Sequence, residues 1–160
     1  MFEKVVTSGQ LVPILNRARA QKKRIVFTNG CFDLMHVGHI RYLQAAKALG
    51  NLLVVGVNSD ASVRHLGKAP DRPIVGEAQR AEVLAALGCV DYVVIFNEPD
   101  PLKLITALEP DVLVKGGDWT IDKIVGRDVV EQRGGTVKTI PLVPGMSTTS
   151  LINRIRSQST

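Results

Sequence analysis

Two histidines, His36 and His39, have the side chains in this sequence that are best suited to chemistry on a phosphate. They follow a short apolar run at residues 25–27 and lead into an amphipathic segment, a pattern that predicts a strand passing into a helix. A helix N-terminus attracts phosphate through its free N–H groups and its partial positive charge. Because side chains at i and i+3 share one helix face, and Gly38 between them admits a close ligand, we predict a phosphate site with both imidazoles directed into it.

Other interpretations of this stretch explain less of it. A single histidine on a helix usually caps or packs, and His-x-x-His can hold a metal, but no further ligand of a suitable type follows nearby. Cys31 lies in the same stretch, yet no base is evidently paired with it to make it a nucleophile. The histidines would therefore act by donating hydrogen bonds to phosphate oxygens on which negative charge develops.

Two further clusters carry groups that suit a nucleotide. Ser147, Thr148 and Thr149 precede the last predicted helix, where their hydroxyls and the free N–H groups would hold a pyrophosphate; an ordinary helix cap is the alternative. Gly116 and Gly117 follow a predicted strand, where the absence of side chains would let a base or a ribose lie against the backbone.

The residues that follow these glycines leave alternatives open. Asp118 would cap a helix or bind a hydroxyl group, and Trp119 would either pack in the protein or stack on a ligand. Four basic residues near the expected site are candidates to hold the phosphate of a second substrate, and the sequence does not choose among them: Lys23, Arg41, Lys115 and Arg127.

A polar segment at residues 58–73 contains two prolines and is expected to be a mobile loop over the site. Lys68 in this loop would close over a triphosphate, although a charged loop residue is usually just solvated. Arg80 lies in the next predicted helix, where a contact to substrate and a structural ion pair, for example with Glu77, are both open.

The rest of the chain alternates apolar strands with amphipathic helices. Strands are predicted at residues 24–28, 52–57, 91–96, 112–115 and 136–140. Helices are predicted at residues 8–22, 37–49, 77–87, 101–108 and 123–132, with a last one that begins at Ser147 or Thr148. This alternation predicts a single Rossmann-like, doubly wound α/β domain with a five-stranded parallel sheet and helices on both faces. Its ligand would bind beyond the carboxyl ends of the strands, where the clusters above converge.

Length and composition restrict the class of protein. The 160 residues, 45% hydrophobic and 22% charged, are expected to form one domain, in which residues 1–23 are an N-terminal helical extension. Since no apolar run is long enough for a membrane and no secretory signal opens the chain, we expect a cytoplasmic protein without a membrane partner. The net charge of +5 suits anionic ligands, but the basic residues are scattered and no nucleic-acid partner is expected.

The two phosphate-binding clusters together resemble the cytidylyltransferase-like nucleotidyltransferase family. The family motif G-x-F-D-x-x-H-x-G-H matches residues 30–39, and its I-S-T-T motif matches residues 146–149, with Met146 in the first position. The resemblance extends over nearly the whole chain and implies the doubly wound fold. It also implies transfer of a nucleotidyl group from a nucleoside triphosphate to a phosphorylated acceptor, with release of pyrophosphate, use of Mg²⁺ and no covalent enzyme intermediate.

Within that family, several stretches resemble the enzymes that adenylylate D-glycero-D-manno-heptose 1-phosphate to ADP-heptose. These stretches are residues 24–34, 57–63, 72–75, 115–119 and 141–149. Leu142 and Pro144 stand where glycerol-phosphate cytidylyltransferases have arginine and glutamate, which argues against cytidylyl transfer. The resemblance implies ATP and the sugar 1-phosphate as substrates and, since no sugar-kinase sequence accompanies these residues, a stand-alone enzyme. We expect a homodimer or a higher homo-oligomer.

On this basis each candidate residue has an expected role in direct in-line attack on the α-phosphorus. Three residues are expected to be catalytic: His36, His39 and Lys68. Eleven are expected to bind the nucleotide: Asn29, Gly30, Cys31, Phe32, Gly38, Gly116, Gly117, Asp118, Ser147, Thr148 and Thr149. Four are expected to bind the acceptor: Asp33, Arg41, Lys115 and Arg80. The phosphates, rather than protein ligands, would hold Mg²⁺.

Two kinds of alternative stay open. One is an adenylyl- or cytidylyltransferase for another acceptor, such as glycerol 3-phosphate, FMN or phosphopantetheine. The other is a nucleotide- or RNA-binding module that has the fold but no turnover, against which the intact histidine and Ser-Thr-Thr motifs argue.

Overall fold

The five strands form one parallel sheet, and the three central strands are almost wholly buried. In the computed structural model, which describes residues 3–117 and 119–158, the strands are β1 (Ile25–Gly30), β2 (Leu52–Asn58), β3 (Tyr92–Phe96), β4 (Val112–Gly116) and β5 (Thr136–Ile140). Their order across the sheet is β3-β2-β1-β4-β5, and every neighbouring pair is parallel. The predicted α/β fold is thereby confirmed.

Helices cover both faces of the sheet. The described residues form α1 (Ser8–Ala20), α2 (Val37–Lys47), α3 (Asp60–His65), α4 (Glu77–Ala85), α5 (Leu102–Leu108), α6 (Arg127–Gln132) and α7 (Thr148–Gln158). Helices α1, α5 and α6 pack on one face and α2 and α4 on the other. Successive strand side chains point to opposite faces, so Val26 joins one cluster and Phe27 the other. None of these helices combines the length and the apolar character that a membrane crossing requires.

Three predicted elements differ from the structure. Residues 1–23 are expected to be an extension, but Leu11 and Leu15 of α1 are fully buried in the core, and Thr7 caps the helix. The expected loop at residues 58–73 contains α3, which Ser59 caps through the N–H of Ser62. Both caps are short polar side chains that satisfy free N–H groups, a detail that hydrophobic periodicity does not report.

The helix predicted at residues 123–132 begins later than expected. A 3-10 turn at Ile121–Lys123 is followed by extended backbone at Ile124, and Gly126 has φ of 89°. A Cβ on Gly126 would lie 2.6 Å from Cδ1 of Ile105, so glycine is needed here both for the backbone conformation and for the approach of α5. Helix α6 therefore starts only at Arg127.

The sheet separates at the point where its strand order reverses. Along β1, all six residues pair with β2, whereas pairing with β4 is confined to Val26 with Val112 and Phe27 with Leu113. Beyond these pairs β1 and β4 diverge towards their carboxyl ends. Such a switch point is where doubly wound sheets bind their ligands, and here it lies between Gly30 and Gly116.

A buried arginine ties together the segments at this edge. The Arg80 side chain is 1% exposed, and its Nη1 donates to the carbonyl oxygens of Cys31 (2.6 Å) and Asn58 (2.8 Å). Its Nε donates to the carbonyl of Val75, and its Nη2 to the Asp60 carboxylate, each at 2.8 Å. These donors all point into protein, so the structure does not agree with the predicted contact of Arg80 to substrate. The alternative of a structural role is the correct one, with Asp60 as the ion-pair partner.

We expect Arg80→Met to lower the free energy of unfolding by about 3–5 kcal/mol, because buried oxygens lose their donors and a carboxylate loses its cation. Arg64→Met on α3 is the matched control, because Arg64 is exposed, and its change should stay within about 0.5 kcal/mol. Urea denaturation of the two variants measures both values. Equal losses in the two variants would contradict the structural role of Arg80.

Candidate active site

A cavity of about 570 Å³ opens at the carboxyl ends of β1 and β4. It brings together most of the residues that the sequence singled out, from the β1–α2 turn, the segment after α3, β4 and the start of α7. The lining residues are Asn29, Gly30, Cys31, Phe32, Asp33, His36, Gly38, His39, Tyr42, Lys68, Arg72, Lys115, Gly116, Leu142, Val143, Met146, Ser147, Thr148 and Thr149.

The two histidines stack at the N-terminus of α2. Their ring centroids are 3.9 Å apart and their planes differ by 25°. The backbone N–H of His36 donates to Nδ1 of His39 at 3.3 Å. Because Nδ1 of His39 accepts this bond, a neutral His39 must carry its proton on Nε2. The local backbone therefore fixes which nitrogen can donate a hydrogen bond to a ligand.

The surroundings of His39 also set its charge. Burial, followed by the positive charges of His36 and Lys68, lowers the pKa of His39 to about 4. Burial lowers the pKa of His36 as well. At neutral pH His39 is therefore an uncharged donor, and Lys68, exposed on the loop after α3, supplies positive charge at the same cavity.

Gly38 is needed for a different reason from the one expected. A Cβ at this position would lie 2.8 Å from both Cε1 and Nδ1 of His36. The space that the sequence assigned to an approaching ligand is thus occupied by the His36 ring. Gly38 allows the two imidazoles to stack, since any side chain there would displace His36.

Leu142 covers the two glycines at the end of β4. Its methyl groups lie 3.4 Å from the position of a Cβ on Gly116 and 3.3 Å from one on Gly117, which has φ of 88°. Leu142 itself is 65% exposed and adds an apolar surface beside these glycines, and the expected contact of a base or ribose with them stays a prediction. Gly116 lines the cavity, and the predicted nucleotide contact at Asp118 lies outside the described residues.

The Asp33 carboxylate is committed to the segment after α3. It accepts hydrogen bonds from Nε of Arg72 (2.6 Å) and from the backbone N–H groups of Ile74 (2.9 Å) and Val75 (2.8 Å). Burial raises the pKa of the Asp33 carboxyl, but the bonds from Val75, Ile74 and Arg72 outweigh it and hold the pKa below its usual value. The predicted contact of Asp33 to the acceptor does not agree with this use of its oxygens, and the residue instead fixes the chain above the cavity.

The start of α7 combines a helix cap with the cavity wall. Oγ of Ser147 accepts a hydrogen bond from the backbone N–H of Ser150 at 3.0 Å, which is the cap that the sequence left as the alternative. Oγ1 of Thr148 donates to the carbonyl of Leu34 at 3.1 Å and joins α7 to the turn before α2. Thr149 also lines the cavity, so both helix N-termini border the same space.

The structure separates the four basic candidates for the acceptor phosphate. Lys115 lines the cavity, and burial, then the charge of Lys68, lowers its pKa. Arg41 is exposed on α2 and lies outside the lining, which contradicts its predicted contact to the acceptor. Lys23 lies before β1, beside the opposite end of the sheet, and the fourth candidate, Arg127, pairs with two acidic side chains.

One residue of the site, Tyr42, has no role in the sequence-based prediction. Its hydroxyl bonds to Oγ1 of Thr28 at 2.5 Å and donates to the carbonyl of Val114 at 3.3 Å. It bridges β1 and β4 just beyond their last paired residues, and burial raises its pKa to about 12. The signal available in the sequence was its position three residues after His39, on the same face of α2.

The described residues offer no metal cage. Within residues 3–117 and 119–158, no group of three or more His, Cys, Asp or Glu side chains could hold a metal ion. Asp33 is the one carboxylate in the described lining, and it is already neutralised by Arg72. The described part of the cavity lining therefore does not provide the oxygen ligands that Mg²⁺ prefers.

A doubly wound sheet whose switch point carries paired imidazoles and two helix N-termini defines an α/β protein built to act on a phosphorylated ligand. The family model described as cytidylyltransferase-like matches residues 27–154. The chain belongs to this family of nucleotidyltransferases. Enzymes of this kind generally use a divalent metal ion.

Individual relatives agree with this membership. The bifunctional protein HldE of Geotalea uraniireducens is 56% identical over 156 residues, which are 98% of this chain and 32% of that protein. The HldE of Geobacter sulfurreducens is 56% identical over 152 residues, 95% of this chain and 31% of that protein. The chain thus spans about a third of the length of these curated relatives.

Solved structures support the same fold. A lipopolysaccharide core biosynthesis protein from Thermoplasma volcanium has a TM-score of 0.61 and 32% identity, over 76% of this chain and 97% of that chain. A pantoate-beta-alanine ligase from Francisella tularensis has a TM-score of 0.59 at 14% identity, over 98% of this chain and 78% of that chain, and is similar in fold alone.

We expect the imidazole of His39 to titrate near pH 4 in the ligand-free protein, well below the ordinary value of about 6.5. The unfolded chain takes up this proton at higher pH than the folded one, so stability should fall as the pH falls from about 6.5 to about 4. Imidazole NMR shifts, assigned with a His39→Gln variant, measure the midpoint and the tautomer. A midpoint near 6.5, or a proton on Nδ1 of the neutral ring, would contradict the local geometry.

Proposed function

We propose that this chain transfers AMP from ATP to the phosphate of D-glycero-D-manno-heptose 1-phosphate, giving ADP-heptose and pyrophosphate. The observation that carries the proposal is the stacked pair of His36 and His39 at one helix N-terminus, facing the same cavity as the start of α7. Relatives named HldE and a neighbour named for lipopolysaccharide core biosynthesis support the choice of acceptor, together with the resemblance of residues 24–34 and 141–149.

The reaction is a direct in-line displacement. An oxygen of the sugar phosphate forms a bond to the α-phosphorus of ATP while the bond from that phosphorus to the bridging oxygen of the β-phosphate breaks, and pyrophosphate leaves. With a second pKa of about 6, the acceptor phosphate is already ionised at neutral pH. Little general-base catalysis is then needed, and catalysis depends on positioning and charge stabilisation.

Each group at the cavity contributes to that stabilisation in its own way. His39, neutral and protonated on Nε2, donates a directed hydrogen bond to an oxygen of the α-phosphate. His36 stacks on the His39 ring and binds the same α-phosphate. Lys68 balances the charge of the departing pyrophosphate, and the N-terminal turn of α7, with Thr149 and the cap Ser147, binds the β- and γ-phosphates.

The base and the metal ion have weaker determinants on this chain. Leu142 offers an exposed apolar surface for the adenine. Glycerol-phosphate cytidylyltransferases have an arginine at this position. Mg²⁺ would enter on the triphosphate, because the described lining provides no ligand set for it. ATP and sugar phosphates are cytoplasmic metabolites, and we propose the cytoplasm as the location of the enzyme.

A screen of triphosphates against acceptors tests the proposal. ATP and CTP are each combined with D-glycero-D-manno-heptose 1-phosphate, glycerol 3-phosphate, FMN and phosphopantetheine, and pyrophosphate release is followed. The pair of ATP and the heptose 1-phosphate should give the highest kcat/KM. Faster turnover with CTP or with another acceptor would replace the proposed substrate, and ATP binding without any turnover would support a binding module.

We expect His39→Ala to reduce kcat by about 10²-fold or more, by analogy with removal of one oxyanion donor. His65→Ala is the control, since His65 is exposed at the end of α3 and outside the cavity lining, and its kcat should be unchanged. Thermal unfolding of both variants verifies that the fold is intact. Turnover of His39→Ala close to that of the control would remove His39 from the catalytic groups.

A further inference from the structure

A second cavity, of about 420 Å³, adjoins the active-site cavity. It lies on the α5 and α6 side of the sheet, whereas the first cavity lies on the α2 side. The two cavities share Asn29, Gly30 and Cys31 at the end of β1, together with Lys68 and Lys115. They therefore meet along the gap where β1 and β4 diverge.

The second cavity combines an apolar wall with positive charge. Trp119, Leu66 and Val125 line it and are 53%, 45% and 41% exposed, so three of the large apolar side chains that this chain exposes face one space. Its lining contains three lysines, Lys68, Lys115 and Lys123, and one acidic side chain, Asp100. Aromatic and apolar walls with a few polar groups are typical of small-molecule sites, and the excess of positive charge favours an anionic ligand.

Trp119 and Lys115 contact each other in this wall. Nζ of Lys115 lies 5.3 Å from the centroid of the Trp119 ring, within the range of a cation–π contact. The indole is 53% exposed, so the part of the ring that Lys115 does not cover is available to a ligand. Lys115 lines both cavities, so its ammonium group stands at their border.

Two polar side chains of the lining, Asp100 and Asn58, suit hydroxyl groups. Oδ1 of Asp100 accepts from the backbone N–H of Leu102 at 2.9 Å, and its other oxygen has no hydrogen bond within the described residues. Asn58 lies at the end of β2 with its side-chain nitrogen donating to Ser62. A carboxylate and an amide next to an aromatic wall match a polyhydroxylated ring better than a second phosphate.

In-line displacement requires the attacking and leaving oxygens to lie on opposite sides of the α-phosphorus. With the triphosphate between the N-termini of α2 and α7, the nucleophile must arrive from the opposite side. The second cavity opens onto the shared residues from that side, on the other face of the sheet edge. Its position is therefore the one that an attacking phosphate needs.

We propose that the second cavity is the binding site of the acceptor, a sugar phosphate. The sugar ring packs on Trp119, the phosphate lies at the border beside Lys115, and hydroxyl groups contact Asp100 and Lys123. This inference rests on the proposed function, because it assigns the second substrate of the same reaction to a separate set of residues.

Steady-state kinetics with Trp119→Ala test the assignment. The KM for D-glycero-D-manno-heptose 1-phosphate should rise by about tenfold or more through the loss of the aromatic contact, while the KM for ATP should stay within about twofold. Trp119→Phe should recover most of the loss. The matched control is Ile121→Ala, because Ile121 lies in the same segment and is 41% exposed but does not line the cavity.

A binding measurement that needs no turnover separates this inference from the proposed function. Calorimetric titration with D-mannose 1-phosphate, in the presence of α,β-methylene-ATP, should show binding to the wild type and Ile121→Ala and weakened binding to Trp119→Ala. Equal binding to all three proteins, or binding to none, overturns the acceptor site even if the wild type makes ADP-heptose. Absence of ADP-heptose synthesis together with selective loss of binding in Trp119→Ala overturns the heptose assignment and supports the site.

Discussion

The geometry of the site depends on the hydrogen bonds that the buried guanidinium group of Arg80 donates. Parallel strands end at the same edge of the sheet, so the carbonyls of Cys31 and Asn58 come close enough for one cation to donate hydrogen bonds to both. A buried charge is tolerated only when its donors are satisfied, and the remaining donors reach Val75 and Asp60. The turn that leads to the histidines and the segment that follows the loop are therefore held in one arrangement, which the Asp33–Arg72 pair reinforces.

Burial divides the work of the cavity between neutral and charged groups. His39 loses its charge because it is buried beside His36 and Lys68, yet the backbone bond to Nδ1 keeps a proton on the nitrogen that remains free. Lys68, in contrast, is exposed to solvent on the loop after α3. The Nε2 donor of His39 is thus carried by helix α2, whereas the positive charge of Lys68 is carried by an exposed loop. The hydrogen-bond donation expected of the two histidines stays a prediction, and for His39 the lowered pKa makes the donor a neutral imidazole.

Hydrophobic periodicity was sufficient for the sheet, because the apolar runs of β1, β2 and β4 are buried on both faces. Periodicity could not predict the start of α6, because it depends on Gly126, where a side chain would clash with Ile105 of another helix. The motifs located the lining of the cavity, but the partners of Asp33 lie 39 to 42 residues away along the chain and Arg80 reaches Cys31 across 49 residues, so these polar contacts depend on tertiary packing. Gly38 shows the same limit, since its close neighbour is the ring of His36 itself.

The divergence of β1 from β4 leaves one sheet edge open to both cavities, as the proposed binding of two substrates requires. If the two strands stayed paired to their ends, the backbone groups of Asn29 and Gly30 would be used by the ladder and the two cavities would be closed off from each other. The Tyr42 hydroxyl instead bonds to Thr28 and Val114, just past the last paired residues, and satisfies polar groups at the start of the gap. The gap is thus stabilised by a side chain of α2, the same helix that carries His39. A single helix therefore carries both the side chain that bridges the two strands at the gap and the imidazole of His39 that lines the cavity.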